Sequence, residues 1–239
     1  MQYSLLESLQ ISNTIYNKLF IHFIDSNDAL PLGSIRCGTG TSSEAIQWTI
    51  AELINHPYVF NKVREEIKFV VGSTRLVEES DVQSLPYLQA VVKEALRLHP
   101  TVPVVIRECR EACKIKEFDI PEKTMVAINV YTIMRDGKTW DYPNDFRPER
   151  FMVSSKEKEN AMEYIPFGAG RRACPGSKLA LSLIHTTIAT MVQCFDWKVG
   201  GEGEHVKANM QVGSGITMPM AHPFKCLPVV HFNPFASSM

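Results

Sequence analysis

The chain has 239 residues, which suggests one or two domains, and its 45% hydrophobic and 21% charged residues exclude disorder as its main state. The net charge of −1 provides no basic field, so we predict no nucleic-acid partner. Six cysteines are too sparse for a disulfide scaffold and indicate a reduced, cytosol-facing setting. The sequence contains no apolar run of about 18–20 residues, so we predict no membrane span in it.

The first third of the chain predicts a helix that begins late. Residues 1–36 form a divergent segment that ends in a turn-rich stretch, where Pro31 and Gly33 are expected to stop any helix. Thr41 and Glu44 have the spacing of a capping box before an apolar stripe. We therefore expect the first well-defined helix to begin at Thr41.

The rest of the chain predicts further helices around a small sheet. Apolar stripes predict helices at residues 59–71 and 86–99. Short β-branched runs within 102–133 predict a small, mostly antiparallel sheet. Proline-rich residues 135–175 predict a long ordered loop, a long helix is expected from Pro175 to about Phe195, and the tail is expected to hold a hairpin. The predicted fold class is mainly α with small β-sheets (α+β).

The most informative segment is FGAGRRACPG, residues 167–176. Its glycines permit close backbone approach, and Pro175 is expected at the first position of a helix. Cys174 would then lie at the positive end of that helix, beside Arg171 and Arg172, where a thiolate is favoured. Such a thiolate can ligate a metal or act as a nucleophile. An inert cysteine in a tight turn is the alternative, and for an isolated cysteine it is the favoured one.

This segment resembles the haem-binding loop of the cytochrome P-450 family, Phe-x-x-Gly-x-Arg-x-Cys-x-Gly, at every fixed position. The resemblance implies haem b (iron protoporphyrin IX) as cofactor and Cys174 as the axial ligand of its iron. It implies that Arg172 pairs with a haem propionate, that Phe167 packs near the sulfur, and that Gly168 belongs to the cofactor-binding loop. Arg107 is implied as a second propionate partner, with an ordinary surface arginine as the alternative.

A second motif pairs a carboxylate with two arginines. Glu94 and Arg97 lie three residues apart, on one face of a predicted helix, and a surface salt bridge is the alternative interpretation. The pair fits the family's Glu-x-x-Arg signature, and residues 148–151 (PERF) resemble its Pro-Glu-Arg-Phe segment. The resemblance implies a buried triad in which Glu94 lies between Arg97 and Arg150.

A third motif, CGTGTS at residues 37–42, resembles the oxygen-activation segment of the family's central helix. Thr41 falls on the threonine that helps to deliver protons during catalysis, and Gly40 stands where the family has an acid. A simple helix cap is the alternative. The resemblance also implies that a pocket for a lipophilic substrate is lined by residues 39–44, 101–105 and 212–217.

Together these matches resemble the C-terminal half of a plant-type haem-thiolate monooxygenase. We expect residues 37–239 to form the haem-binding portion. The resemblance implies insertion of one atom of O2 into a lipophilic plant metabolite, with electrons from an NADPH-dependent cytochrome P-450 reductase. It also implies a location on the cytosolic face of the endoplasmic reticulum, although we expect this chain to lack the N-terminal membrane anchor.

Two alternatives lead to other functions. A truncated, inactive chain that binds haem weakly or not at all would carry the same motifs. A zinc- or thiol-dependent protein unrelated to haem is the second alternative. Cys109 and Cys113 have the spacing of half a zinc site, but no nearby histidine pair completes it. His185, on the last predicted helix, is expected to be a packed core residue.

Overall fold

A computed structural model describes residues 32–152, 163–199, 207–222 and 225–234, with side chains from residue 38 onward. Within these ranges, helices form most of the regular structure and three two-stranded antiparallel sheets complete it. The prediction of a mainly α fold with small β-sheets is therefore confirmed. The segment 1–31 lies outside the described residues, as do residues 153–162 of the predicted loop.

The first helix, α1 (Leu32–Asn55), starts well before the predicted position. The expectation that Pro31 and Gly33 end any helix is wrong, because α1 begins directly after Pro31 and passes through Gly33. Proline restricts the residue before it rather than the one after it. A glycine inside a helix costs only about 1 kcal/mol relative to alanine. Thr41 therefore lies within α1 and does not cap its start.

The three long helices after α1 lie near their predicted positions, whereas a short helix at Val130–Ile133 falls where a strand was predicted. Proline occupies the first turn of both α2 (Pro57–Val71) and α3 (Pro86–Leu98), where its missing N–H costs nothing. The short α4 (Val130–Ile133) follows the sheet region, and α5 (Ser177–Cys194) is the last helix. Three short 3₁₀ segments connect these elements, at Glu79–Ser84, Pro148–Phe151 and Gly170–Arg172.

The strands form separate antiparallel pairs and not one sheet. Strand β1 (Val104–Glu108) pairs with β4 (Met125–Asn129), and the hairpin of β2 (Cys113–Ile115) and β3 (Phe118–Ile120) is inserted between them along the chain. In the tail, β5 (Phe195–Val199) pairs with β6 (Cys226–Val230). A local antiparallel bridge between Val212 and Met220 lies within the segment where a hairpin was expected.

The core is formed by apolar stripes on four helices. In α3 the apolar residues recur every three or four positions, so they lie on one face and are buried against α2 and α5. The most completely buried members are Leu53, Val63, Leu88, Val91, Ile188 and Val192. A smaller cluster joins α1 to residues after 207 through Trp48, Ala51, Ala208 and Met220. No helix in the described part of the chain combines the length and the apolar character that crossing a membrane requires.

Candidate functional site

The segment 167–176, called the cysteine loop below, doubles back on itself before α5. Gly168 (φ +72°) and Gly170 (φ +70°) adopt a left-handed conformation that residues with a Cβ rarely adopt. The fold-back lets the amide of Cys174 donate to the carbonyl of Phe167 at 2.9 Å. Phe167 packs against the core, while Cys174 is a free, exposed thiol.

The end of the cysteine loop differs from the prediction in one detail. Helix α5 begins at Ser177 with Gly176 as its N-cap, so the expectation that Pro175 is the first helical residue is wrong. A Cβ added to Gly176 would lie 4.0 Å from Cys174 Sγ, in contact with the sulfur. The glycine therefore leaves the space beside the thiol open.

Two of the predicted cofactor-binding arginines meet at this loop. Arg107, on β1, donates from Nη2 to the carbonyl of Arg172 at 3.3 Å and from Nη1 to the carbonyl of Ile106 at 2.9 Å. Both arginines are exposed, as is Arg171 beside them. The structure thus places positive charge along the same loop that presents the free thiol.

The predicted carboxylate–arginine triad is assembled in the interior. Glu94 and Arg97 are both fully buried, with Arg97 Nε 2.7 Å from Glu94 Oε2 and Nη2 2.9 Å from Oε1. Arg150 donates from Nε to Glu94 Oε1 at 2.9 Å, and the backbone amide of Arg147 donates to the same oxygen at 2.9 Å. One carboxylate therefore binds two guanidiniums and leaves the triad with one net positive charge.

Backbone carbonyls satisfy the remaining donors of the triad. Arg97 donates from Nη1 to the carbonyls of Met134 and Pro143, both at 2.8 Å. Arg150 donates from Nη1 to the carbonyl of Asp141 at 3.0 Å. These bonds tie α3 to the segment between α4 and residue 151, so the triad fixes a long stretch of irregular chain.

The predicted oxygen-activation segment lies on α1. Thr41 Oγ1 donates to the carbonyl of Gly38 at 3.4 Å, a bond within its own helix. Glu44 does not form the expected capping box, because its Oε1 accepts a hydrogen bond from Thr217 Oγ1 at 2.8 Å. Its other oxygen, Oε2, is buried and has no hydrogen-bond partner among the described residues. On a helix, Glu44 is one turn from Gly40, the position where the family has an acid.

Three segments that the resemblance assigned to a substrate pocket meet in the structure. Met218 donates from its amide to the carbonyl of Thr101 at 2.9 Å and accepts at its carbonyl from Trp48 Nε1 at 2.7 Å. With the bond from Thr217 to Glu44, these contacts bring α1 and the chain around residues 101 and 217 together. Apolar side chains, among them Ile216, stay exposed there.

Sequence reasoning missed a buried polar network beside this region. His99 donates from Nε2 to Glu52 Oε1 at 2.7 Å, and its ring stacks on Trp48 with centroids 4.1 Å apart. His56 Nδ1 lies 3.3 Å from Glu52 Oε2. Trp48 and Glu52 lie on α1 and His56 directly follows its end, each four residues after the last, and that spacing of one aromatic and two polar residues was the available signal.

The three titratable groups of this network influence one another. Burial lowers the pKa of His99 from its ordinary value of 6.5, against the effect of the nearby carboxylate. The hydrogen bond to Glu52 raises the pKa of His56. Burial alone would raise the pKa of Glu52, but the hydrogen bonds from His56 and His99 together lower it. Glu52 is therefore a buried anion held by two imidazoles.

The described residues contain no group of three or more His, Cys, Asp or Glu side chains that could enclose a metal ion. The sulfurs of Cys109 and Cys113 lie 3.5 Å apart, but that part of the structure offers them no further ligands. A metal held by several protein donors thus has no site among these residues, whereas haem needs only one protein ligand on its thiolate side.

The mainly α fold, the loop with its free cysteine and the buried triad are features that the resemblance to a haem-thiolate family implied. The family model described as cytochrome P-450 matches residues 35–224. The chain belongs to the cytochrome P-450 family.

Relatives from plants share about half of the aligned residues. Cytochrome P-450 705A12 of Arabidopsis thaliana is 51% identical over 205 residues, which are 83% of this chain and 40% of the relative. Cytochrome P-450 705A5 of the same plant is 54% identical over 198 residues, 80% of this chain and 38% of the relative. The 3,9-dihydroxypterocarpan 6A-monooxygenase of Glycine max is 48% identical over 203 residues, 83% of this chain and 39% of the relative. The chain thus spans about 40% of the length of these relatives.

Proposed function

We propose that this chain is the haem-binding portion of a monooxygenase and that Cys174 is the axial ligand of haem b. The observation that carries the proposal is the free, exposed thiol of Cys174, held by a loop that two left-handed glycines fold back. The space kept open by Gly176 and the soft sulfur donor both fit a haem iron. Haem bound through a thiolate supplies the activation and cleavage of O2.

The arginines at the cysteine loop are suited to hold the carboxylates of such a cofactor. Arg107 and Arg172 lie on different elements, the side chain of Arg107 donates to the backbone carbonyl of Arg172, and both arginines are exposed. Guanidiniums bind carboxylates through paired, charge-assisted hydrogen bonds. We assign them to the two propionates. The bond from Arg107 to the loop carbonyl also joins β1 to the cysteine loop.

On α1, Thr41 and Glu44 are suited to handle protons. The hydroxyl of Thr41 can pass a proton at Oγ1. Glu44 has one carboxylate oxygen held by Thr217 and the other buried without a partner among the described residues. Gly40 leaves no acid beside Thr41, and Glu44 lies one helical turn further on. We assign Glu44 to the role of the missing acid.

The substrate that fits these surroundings is lipophilic. Exposed apolar side chains line the place where α1 meets the chain around residues 101 and 217, including Val102, Val104 and Ile216. A relative in Glycine max is named as a pterocarpan monooxygenase. We propose a lipophilic plant metabolite as substrate, an NADPH-dependent cytochrome P-450 reductase as electron donor, and the cytosolic face of the endoplasmic reticulum as location for the whole protein.

Haem binding by the purified chain tests the proposal directly. The chain is mixed with haem, freed of excess haem on a size-exclusion column, reduced and exposed to carbon monoxide. We expect one haem per chain and the red-shifted Soret band that a thiolate ligand gives. Cys174→Ser should lose the shift because serine offers no thiolate, and Cys113→Ser should keep it because that exposed thiol lies outside the loop.

Two results would contradict the proposal. Absence of haem from the column fractions would show that this chain is the inactive alternative. An unshifted band in the unaltered chain, or the same shifted band in Cys174→Ser, would mean that another group ligates the iron.

A further inference from the structure

Two thiols outside the cysteine loop lie almost in contact. Cys109 directly follows β1, Cys113 begins β2, and their sulfurs are 3.5 Å apart. Cys109 Sγ also donates to the carbonyl of Glu111 at 3.1 Å, across the turn between the two cysteines. Cys113 is exposed and Cys109 is partly exposed, so small reagents can reach the pair.

The backbone on both sides of the turn is fixed. Cys109 extends the ladder of β1 and β4, since its amide donates to the carbonyl of Thr124 at 2.9 Å and its carbonyl accepts from the amide of Lys123 at 2.7 Å. Cys113 pairs with Ile120 in the β2–β3 hairpin. The thiols are thus held near each other by secondary structure, which raises the effective concentration of one at the other.

We propose that Cys109 and Cys113 form a redox-active dithiol that a small disulfide, such as glutathione disulfide, oxidises to an intramolecular disulfide. A disulfide requires the sulfurs to approach from 3.5 Å to about 2.05 Å, a movement within the reach of side-chain rotation. This proposal does not depend on haem or on Cys174.

The exchange balances in two steps. The thiolate of Cys113, the more exposed sulfur, attacks one sulfur of glutathione disulfide and releases one glutathione thiolate. The thiolate of Cys109 then attacks the sulfur of Cys113 and releases the second glutathione. The protein loses two protons and two electrons, and the small disulfide is reduced to two thiols. Contact with Cys109 raises the pKa of Cys113 and so lowers the fraction of its attacking thiolate, which means that the exchange depends on the nearness of the second sulfur and not on an acidic thiol.

Among the described cysteines, the others lack a thiol neighbour. Burial raises the pKa of Cys194 to about 11 and also raises that of Cys226, which disfavours their thiolates. Cys174 is exposed, but the hydrogen bonds found for it join backbone atoms and no second sulfur. Exchange at Cys174 should therefore stop at a mixed disulfide with glutathione.

Closure of the bridge would join the two sheets of this region. The disulfide would link the end of the β1–β4 pair to the start of the β2–β3 hairpin. Arg107, two residues before Cys109, donates to the carbonyl of Arg172 in the cysteine loop. One thiol of the pair therefore directly follows the strand that contacts the proposed haem site, and oxidation of the pair should stiffen that contact.

Tryptic mass spectrometry tests the proposal because Arg110 lies between the two cysteines. The full chain is equilibrated in buffers of glutathione and glutathione disulfide, quenched with acid, alkylated and digested. Trypsin cuts after Arg107, Arg110 and Lys114, so the bridge appears as two short peptides joined through sulfur. In the monomer fraction, we expect this species to exceed any other linked pair of cysteines by about tenfold or more.

The dependence on glutathione distinguishes a bridge from adducts. At a fixed concentration of glutathione disulfide, the ratio of bridged to reduced protein falls with the square of the glutathione concentration. The ratio of mixed disulfide to reduced protein falls with its first power. Cys109→Ser and Cys113→Ser should each leave only a glutathione adduct on the remaining cysteine, and Cys226→Ser should leave the bridge intact. First-power dependence in the unaltered chain, or linked peptides found in dimers alone, would overturn the proposal.

Discussion

At the scale of single residues, the buried triad brings three charged side chains into direct contact. Glu94 is fully buried and its two oxygens accept four hydrogen bonds, from Arg97, Arg147 and Arg150. Two of these partners are guanidiniums that cannot lose their charge. Stability here depends on keeping one negative charge between two positive ones.

Glu94→Gln should therefore be strongly destabilising. The amide keeps the shape of the side chain but leaves the buried guanidinium of Arg97 and the partly buried one of Arg150 without a counter-charge, at a cost of about 3–5 kcal/mol. Urea unfolding followed by circular dichroism measures the change. Asp119→Asn is the matched control, because its carboxylate lies 3.8 Å from Lys114 on the surface, where such pairs contribute about 0–1 kcal/mol. Equal losses in the two variants would contradict a buried role for Glu94.

The left-handed glycines of the cysteine loop make a second prediction at this scale. Gly168→Ala places a Cβ at φ +72°, which costs about 1–2 kcal/mol in that conformation. The nearest atom to the added Cβ, the Cα of Ala173, is 3.9 Å away, so the cost comes from the backbone and not from a clash.

Gly137→Ala provides the comparison for Gly168→Ala. No heavy atom lies within 4 Å of its added Cβ and its φ is not positive, so this change should be neutral or slightly stabilising. Thermal unfolding of both variants measures the difference. A Gly168→Ala chain as stable as the unaltered one would show that the loop relaxes to another conformation.

At the scale of elements, α1 shows where local sequence rules end. The signals for its start were a proline, a glycine and a threonine with capping spacing, and all three favoured a later beginning than the structure has. What holds the C-terminal half of the helix is long-range: Trp48 reaches Met218 and Glu52 reaches His99. Such partners are distant in sequence, so a pattern of neighbours does not reveal them. Where start signals and packing agree, as in α3, the predicted and observed bounds differ by a single residue.

The buried network between α1 and the end of α3 predicts two separated histidine titrations. The pKa of His56 should lie above 6.5, because of its bond to Glu52, and that of His99 below 6.5, because of its burial. In Glu52→Gln both pKa values should fall, since each imidazolium loses its carboxylate. NMR titration of the imidazole resonances measures both values. Glu108→Gln, an exposed carboxylate on β1, should move neither. Unchanged values in Glu52→Gln would show that the network is not formed.

Helix α5 carries a histidine whose burial makes stability depend on pH. Burial lowers the pKa of His185 from 6.5 to about 4. Between pH 6.5 and about 4, His185 binds a proton in the unfolded chain but not in the folded chain. The contribution of His185 to the free energy of unfolding is therefore fully present above pH 6.5 and is lost as the pH falls towards 4. The loss for the shift from 6.5 to about 4 amounts to about 3 kcal/mol.

Unfolding of His185→Gln in urea at pH 7 and pH 4.5 measures this contribution. The variant should lose less stability than the unaltered chain when the pH is lowered. Thr186→Val changes the neighbouring buried position without a titrating group, so its effect should be the same at both pH values. If His185→Gln loses as much stability between pH 7 and pH 4.5 as the unaltered chain does, groups other than His185 cause the sensitivity to acid.

At the scale of the whole molecule, the elements to which the family resemblance assigns a function are joined by contacts that the sequence does not reveal. The sequence motifs identify Cys174, Arg107, Arg172 and the residues of the triad. No spacing in the sequence predicts the bond from Arg107 to the cysteine loop or the bond from Thr217 to Glu44. Both bonds cross more than sixty positions of the chain. The residue types are local information, whereas their partners depend on how the sheets and helices pack.

Those contacts predict that the proposed cofactor stabilises the chain as a unit. Haem at about a hundredfold above its Kd should raise the free energy of unfolding by about 2.7 kcal/mol through mass action. Thermal unfolding with and without haem measures the rise, and metal-free protoporphyrin IX, which offers only propionates, separates the two sets of contacts. Cys174→Ser should lose most of the rise with haem and none of the smaller rise with the metal-free porphyrin. Arg172→Gln should reduce both rises.

If haem and the metal-free porphyrin stabilise the unaltered chain equally, the sulfur does not hold the iron and the propionate contacts alone account for binding.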